Sequence, residues 1–203
     1  MLEGLDKVKW SELHHAYGEA SDVPILIRKL LSQDRRERDE ASSDLFQLIW
    51  HQGTIWEVTS YTVPFLYELI KHPETPDKSE VVYLLSFLAT GSHAYSGVME
   101  DEHKKREWTE ILSKDGEVLE DEVKKGQEYE RSIHLEVAKE FQLLYPYLFS
   151  DRHTRLQVTE VFEKYPEFKL ETLPLLEKAL ASENDKLVRK AIESSIKILS
   201  EMK

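Results

Sequence analysis

Asp22-Val23-Pro24-Ile25-Leu26 is the first of three copies of one pattern: a small polar residue, an apolar residue, proline, an apolar residue and leucine. The pattern returns as Thr62-Val63-Pro64-Phe65-Leu66 and as Thr172-Leu173-Pro174-Leu175-Leu176. An Asp or Thr oxygen can accept from one of the four backbone N–H groups that a first helical turn leaves unpaired. Proline costs little just behind such a cap, because its missing N–H would have had no partner there. Apolar residues then follow at helical spacing, as in Leu26, Leu30 and Leu31 or Leu66, Leu69 and Ile70, so each copy is expected to open a helix with one buried face.

Outward from the first copy, Lys9–Tyr17 is expected to be a helix ended by Gly18. Asp34 is placed to cap a helix running to Trp50, with Gly53 as its stop. A helix spans Thr54 to Ile70, kinked or divided at Pro64, and Asp77 with Glu80 forms a capping box ahead of Val81, Leu84 and Leu88, with Gly91 closing the helix. Residues 92–131 break the rhythm: a loop from Ser92 to Gly97, a charged helical stretch with Trp108, Ile111 and Leu112, and a long helix from about Glu117 interrupted near Gly126. Pro146 should kink or end that helix, after which helices from Asp151, Thr172 and Asp185 follow. No alternation of strand length stands out, and the class is all-α.

The prolines of the first two copies lie forty residues apart, each ahead of a helix, a short turn and a second helix. Pro24, Leu26, Leu30, Asp34, Arg38, Ala41 and Leu45, and again Pro174, Leu176, Leu180, Asp185, Val188, Arg189 and Ala191, resemble the HEAT-repeat (armadillo-like) pattern. His15-Ala16-Tyr17-Gly18 with Asp22-Val23-Pro24, and His51-Gln52-Gly53-Thr54 with Val63-Pro64-Phe65-Leu66, resemble a group of uncharacterised bacterial HEAT-like proteins over the first third of the chain. The resemblance implies one domain over 1–203: a right-handed α-α superhelix of about four to five helix pairs, with an irregular insertion at 92–131. It implies no reaction.

The 203 residues carry 39 acidic and 27 basic side chains, a formal charge of −12. That field repels phosphate backbones and attracts basic proteins. Cysteine is absent, which removes disulfides, thiolate metal sites and a cysteine nucleophile. The first residues show neither a basic nor an apolar signal region, and no apolar run approaches the roughly 20 residues of a membrane span; a cytoplasmic protein without membrane contact is expected. There is no G-x-S-x-G, glycine-rich phosphate loop, H-E-x-x-H or calcium-loop spacing, so no catalytic residue, metal or cofactor is assigned.

The candidate binding residues are His51, Gln52, Thr54 and Trp56, around a glycine turn, and His93, Tyr95 and Trp108, where the repeat breaks. The competing structural reading of the first group has His51 and Gln52 satisfying carbonyls at a helix end and Thr54 capping the next helix. His14 and His15, adjacent on the expected first helix, would point about 100° apart and could not share a metal. His93 with Asp101, Glu102 and His103 could offer ligands, though a solvated loop accounts for them better. Glu120-Asp121-Glu122 reads as an exposed helix face. The expected function is a non-catalytic protein-binding module for a basic partner, in one version an inhibitor or immunity-type protein. The alternative is a DNA-binding or DNA-repair protein resembling the alkylation-repair HEAT-like glycosylases, which would have to gather Arg28, Arg35, Arg36, Arg38, Arg152, Arg155 and Arg189 on one face.

Overall fold

The computed structural model describes residues 2–202. Among them are nine α-helices: α1 (Val23–Lys29), α2 (Arg35–Ile49), α3 (Glu57–Lys71), α4 (Lys78–Thr90), α5 (Glu102–Ser113), α6 (Leu119–Ala138), α7 (Arg152–Lys164), α8 (Lys169–Ser182) and α9 (Lys186–Glu201). A 3-10 helix, Phe141–Phe149, follows α6 and contains Pro146. The chain is predominantly helical, and no helix of the described residues is long and apolar enough to cross a membrane. Helix α1 packs on α2, α3 on α4, the 3-10 helix on α7, and α8 on α9, while α2, α4, α7 and α9 touch in succession. Helix α6 lies on α3, and α5 lies on α6.

One apolar cluster runs from Leu2 to Leu199 through all of these helices except α5. A second, small cluster holds Val98, Leu112, Leu119 and Val123, with Tyr95, Met99 and Trp108 against it. Helix α6 therefore belongs to both: Leu119 and Val123 face the small cluster, Ile133 and Val137 the large one.

Aspartates start the helices. Asp34, Asp77, Asp101, Asp151 and Asp185 each accept a backbone N–H of the first turn of α2, α4, α5, α7 and α9. For Asp101 and Asp185 those N–H donors, with Arg152 also bonded to Asp185, hold the carboxyl below its ordinary value. Burial alone would raise Asp151, but hydrogen bonds from Thr154, His153 and Ser150 outweigh it and leave the group lowered. A carboxyl depressed in the folded chain contributes fully above its unfolded value near 3.9, and its contribution is lost as pH falls through the lower folded value. Asp151→Ala should therefore cost about 1 kcal/mol at neutral pH and less and less below about pH 4, where the parent loses the same bonds. Denaturant midpoints of both proteins between neutral pH and pH 2 should converge; a constant gap would contradict the assignment.

Three expectations are corrected. The proline pattern opens a helix only in α1, where Pro24 is the second residue, and even there Asp22 makes no capping bond. Pro64 and Pro174 lie inside α3 and α8. Thr62 cannot cap, since it is fully buried and donates its hydroxyl to the Val58 carbonyl at 3.1 Å. The real start of α3 is Trp56, whose N–H is held by Thr59 Oγ1 at 3.0 Å.

The expected helix over Lys9–Tyr17 is a short 3-10 turn, Trp10–Glu12, followed by a hairpin of β1 (His14–His15) and β2 (Gly18–Glu19). His14 and His15 therefore point to opposite sides of a strand, with only His15 buried. His15 Nε2 lies 3.1 Å from Asp22 Oδ1, which is what occupies the expected cap.

The third correction concerns glycines. Gly53 does not end α2: Trp50–His51 (β3) pairs with Thr54–Ile55 (β4) around a turn in which Gln52 and Gly53 both have positive φ, 53° and 92°. Gly91 does close α4, as expected, at a negative φ of −66°; a Cβ there would meet Ile55 Cγ2 at 2.5 Å, so close packing is what requires glycine. Gly126 does not interrupt α6, and its role appears at the site below.

Candidate functional site

The hairpin β3–β4 does more than turn the chain. Thr54 bridges to Ser92, the Ile55 N–H donates to the Ser92 carbonyl at 2.9 Å, and the Ser92 N–H donates to the Gly53 carbonyl at 3.0 Å. This joint carries His93, Ala94 and Tyr95 to the start of α3, where Trp56 stands. Two segments singled out separately in the sequence thus become neighbours across some forty residues of chain.

Between them and α6 lies a pocket of about 200 Å³. Trp56, Tyr95 and Tyr129 give it aromatic walls, and Glu57 and Glu122 give it carboxylates. Its buried end is His93 against Gly126. A Cβ on Gly126 would lie 2.6 Å from His93 Cβ, Cγ and Nδ1, so only glycine lets the helix approach this closely. His93 Nδ1 accepts from the Tyr95 N–H at 3.2 Å, and Glu130 Oε1 accepts from the His93 N–H at 2.8 Å. Nε2 of the same ring lies 4.0 Å from Glu130 Oε1.

The lining holds two carboxylates, Glu57 and Glu122, with one lysine, Lys125, and the imidazole of His14. Burial first, then Glu57, Glu122 and Glu128, push the Tyr129 hydroxyl up to about 12. Burial, Glu122 and Glu117 raise that of Tyr95. Both phenols stay protonated at any physiological pH and present neutral rings and O–H groups.

A groove of about 520 Å³ adjoins the pocket along α3 and α6 and shares Glu57 and Tyr129 with it. Tyr61 and Leu135, 46% and 54% exposed, lie in it with Glu128 and Glu136. Pro64 has no N–H to give the Ser60 carbonyl, and both residues line the groove.

Of the seven residues proposed from sequence, Trp56, His93 and Tyr95 line the pocket. Trp108 stands behind Tyr95, ring edge to face at 5.2 Å, and belongs to the small apolar cluster. His51, Gln52 and Thr54 do not line it: His51 Nδ1 faces the Tyr17 hydroxyl at 3.2 Å, Gln52 is the exposed turn residue, and Thr54 makes the bridge to Ser92. Neither Gln52 nor His51 ends a helix, which corrects the structural reading of that segment. Asp101 spends its carboxylate on the His103 and Lys104 N–H groups, away from His93.

Sequence reasoning missed Glu57, Glu122, Tyr129 and His14. Glu122 was read as part of an exposed face, yet unlike Glu120 and Asp121 it is half-buried. A glycine inside a helical pattern is the signal that could have found the pocket, since it marks close approach as readily as a break. No family model matches the chain, and no curated protein or solved structure does either.

Proposed function

We propose that the chain is a non-catalytic protein-binding module, with HEAT-like stacking of helix pairs, whose groove between α3 and α6 receives a basic segment of a partner protein. The observation that carries this is the groove itself: exposed Tyr61 and Leu135 beside Glu57, Glu128 and Glu136, in a chain of charge −12. Aromatic and apolar side chains supply the buried area of a peptide contact, and carboxylates around them select cations and speed encounter. Masking the basic surface of another protein, as an inhibitor does, uses this charge most directly.

Support for a protein over a nucleic acid comes from the arginines. Arg28, Arg35, Arg36, Arg152, Arg155 and Arg189 each pair with a carboxylate. Arg38 donates to the Ser32 carbonyl at 2.8 Å. Arginines each set beside a carboxylate do not make the bare cationic face that phosphate binding needs.

A photo-cross-linking residue at Tyr61, compared with one at exposed Leu187 on α9, tests the assignment in the native host. Tyr61 should capture a partner through a Lys- or Arg-rich peptide, and Glu128→Lys with Glu136→Lys should reduce capture at least tenfold. Equal capture at Leu187, or capture through an acidic peptide, would overturn it.

A further inference from the structure

The pocket beside the groove has a more specific chemistry than the groove. We infer that it is a socket for a guanidinium group, the side chain of an arginine carried by the bound segment. This deepens the protein-binding assignment and rests on it.

Three features lead there. The lining is aromatic: Trp56, Tyr95 and Tyr129 border a space of about 200 Å³, enough for a guanidinium and its methylenes. Cations are drawn to the faces of such rings, arginine more often than lysine. The carboxylates come from two different elements, Glu57 from the first turn of α3 and Glu122 from α6. A planar fork of five N–H donors can serve two carboxylates while stacking on a ring, whereas a compact ammonium cannot do both at once. Finally, the buried His93 accepts the Tyr95 N–H at Nδ1 and sets Nε2 4.0 Å from Glu130, so neither ring nitrogen is paired with Glu57 or Glu122.

The groups already near the carboxylates do not close the site. His14 Nδ1 lies 3.6 Å from Glu57 and Lys125 Nζ lies 3.7 Å from Glu122, both on exposed side chains. Exposed pairs of this kind contribute little, and a guanidinium entering the pocket would replace them. Glu57 stands in the first turn of α3, at the positive end of its dipole. Burial first, and the nearby carboxylates after it, raise the hydroxyls of Tyr95 and Tyr129.

The experiment uses three blocked peptides, Ac-Gly-Arg-Gly-NH2 and its lysine and citrulline counterparts, titrated into the whole chain. The reporter is the Trp56 indole N–H signal in a nitrogen–proton correlation spectrum, assigned with Trp56→Phe. The arginine peptide should shift that signal and bind at least tenfold more tightly than citrulline, which has the same shape without the charge. Glu57→Gln with Glu122→Gln should lose at least tenfold, Tyr129→Phe should stay within about threefold because the ring remains, and Glu136→Lys in the groove should change little. Equal binding of citrulline, or an unchanged double glutamine variant, overturns the socket. A lysine peptide as tight as arginine overturns the choice of guanidinium. If cross-linking at Tyr61 still captures a basic partner while these titrations fail, the groove stands and the socket falls. If arginine binds but Tyr61 captures nothing, the socket stands and the groove assignment falls.

Discussion

Phe141→Ala should be less stable than the parent by about 4 kcal/mol, a fall of about 10 °C in melting temperature for a chain of this length. Phe141 is completely buried where α6 has just ended and the 3-10 helix begins. Its ring stacks on Phe168 at 4.2 Å and 10°, and meets Tyr165 at 5.0 Å and Phe162 at 5.7 Å. It therefore ties the end of α6 to α7 and to the turn that leads into α8. Truncation removes the transfer free energy of a benzyl group and leaves a cavity bordered by stacked rings that cannot easily close in. Phe149→Ala, eight residues on and 45% exposed, should cost under about 1 kcal/mol. Guanidinium unfolding of both variants decides the matter, and similar costs would mean that the aromatic stack does not hold these helices together.

Gly126→Val should cost about 2–3 kcal/mol and abolish binding of the arginine peptide. Valine is a better helix former than glycine by a few tenths of a kcal/mol, so on propensity alone the change would be favourable. The contact decides the sign: the new Cβ would sit 2.6 Å from His93 Cβ, and that atom moves only with the backbone of the 92–97 loop. That loop is held by the Ser92 bridge and by Glu130 on the His93 N–H, so it cannot withdraw without losing those bonds. Gln127→Val, next along an exposed face, should change stability by no more than about 0.5 kcal/mol. Equal midpoints for the two variants would show that the helix and loop have room to part.

Much of the frame was legible because it rests on local chemistry. Asp34, Asp77, Asp151 and Asp185 each precede a segment with apolar residues at helical spacing, and each caps its helix as a short polar side chain there should. The prolines misled because their cost depends on neighbours that the sequence does not display. Thr62, buried in the core, bonds back to its own helix, and the apolar residues Val58 and Val63 hold the turns on both sides of it. The hairpins escaped notice because strands of two residues have no period to read. Gln52-Gly53 also lacks the Asn or Asp that advertises such a turn.

The site was half legible for a related reason. Trp56, His93 and Tyr95 stood out as aromatic groups at breaks in the helical rhythm. Tyr129 lies on the apolar stripe of the long helix and reads as core, Glu122 reads as part of an exposed helix face, and nothing in the sequence singles out Glu57. What brings Trp56 and Glu57 beside His93 and Tyr95 is the Thr54–Ser92 bridge, a contact between two loops that neither loop specifies alone.

The division of α6 between two apolar clusters bears on how the molecule should breathe. Four buried side chains anchor α5 and the first turns of α6, against the much larger set that fixes Ile133, Val137 and everything beyond. Amide protons of α5 and of α6 up to about Gly126 should therefore exchange with solvent well ahead of those in α3, α4 and α7, opening as a unit of their own. The seam between the fast and slow parts passes through the pocket, with Glu122 on one side and Tyr129 on the other. A guanidinium that bridges it would slow exchange in α5, which it never touches.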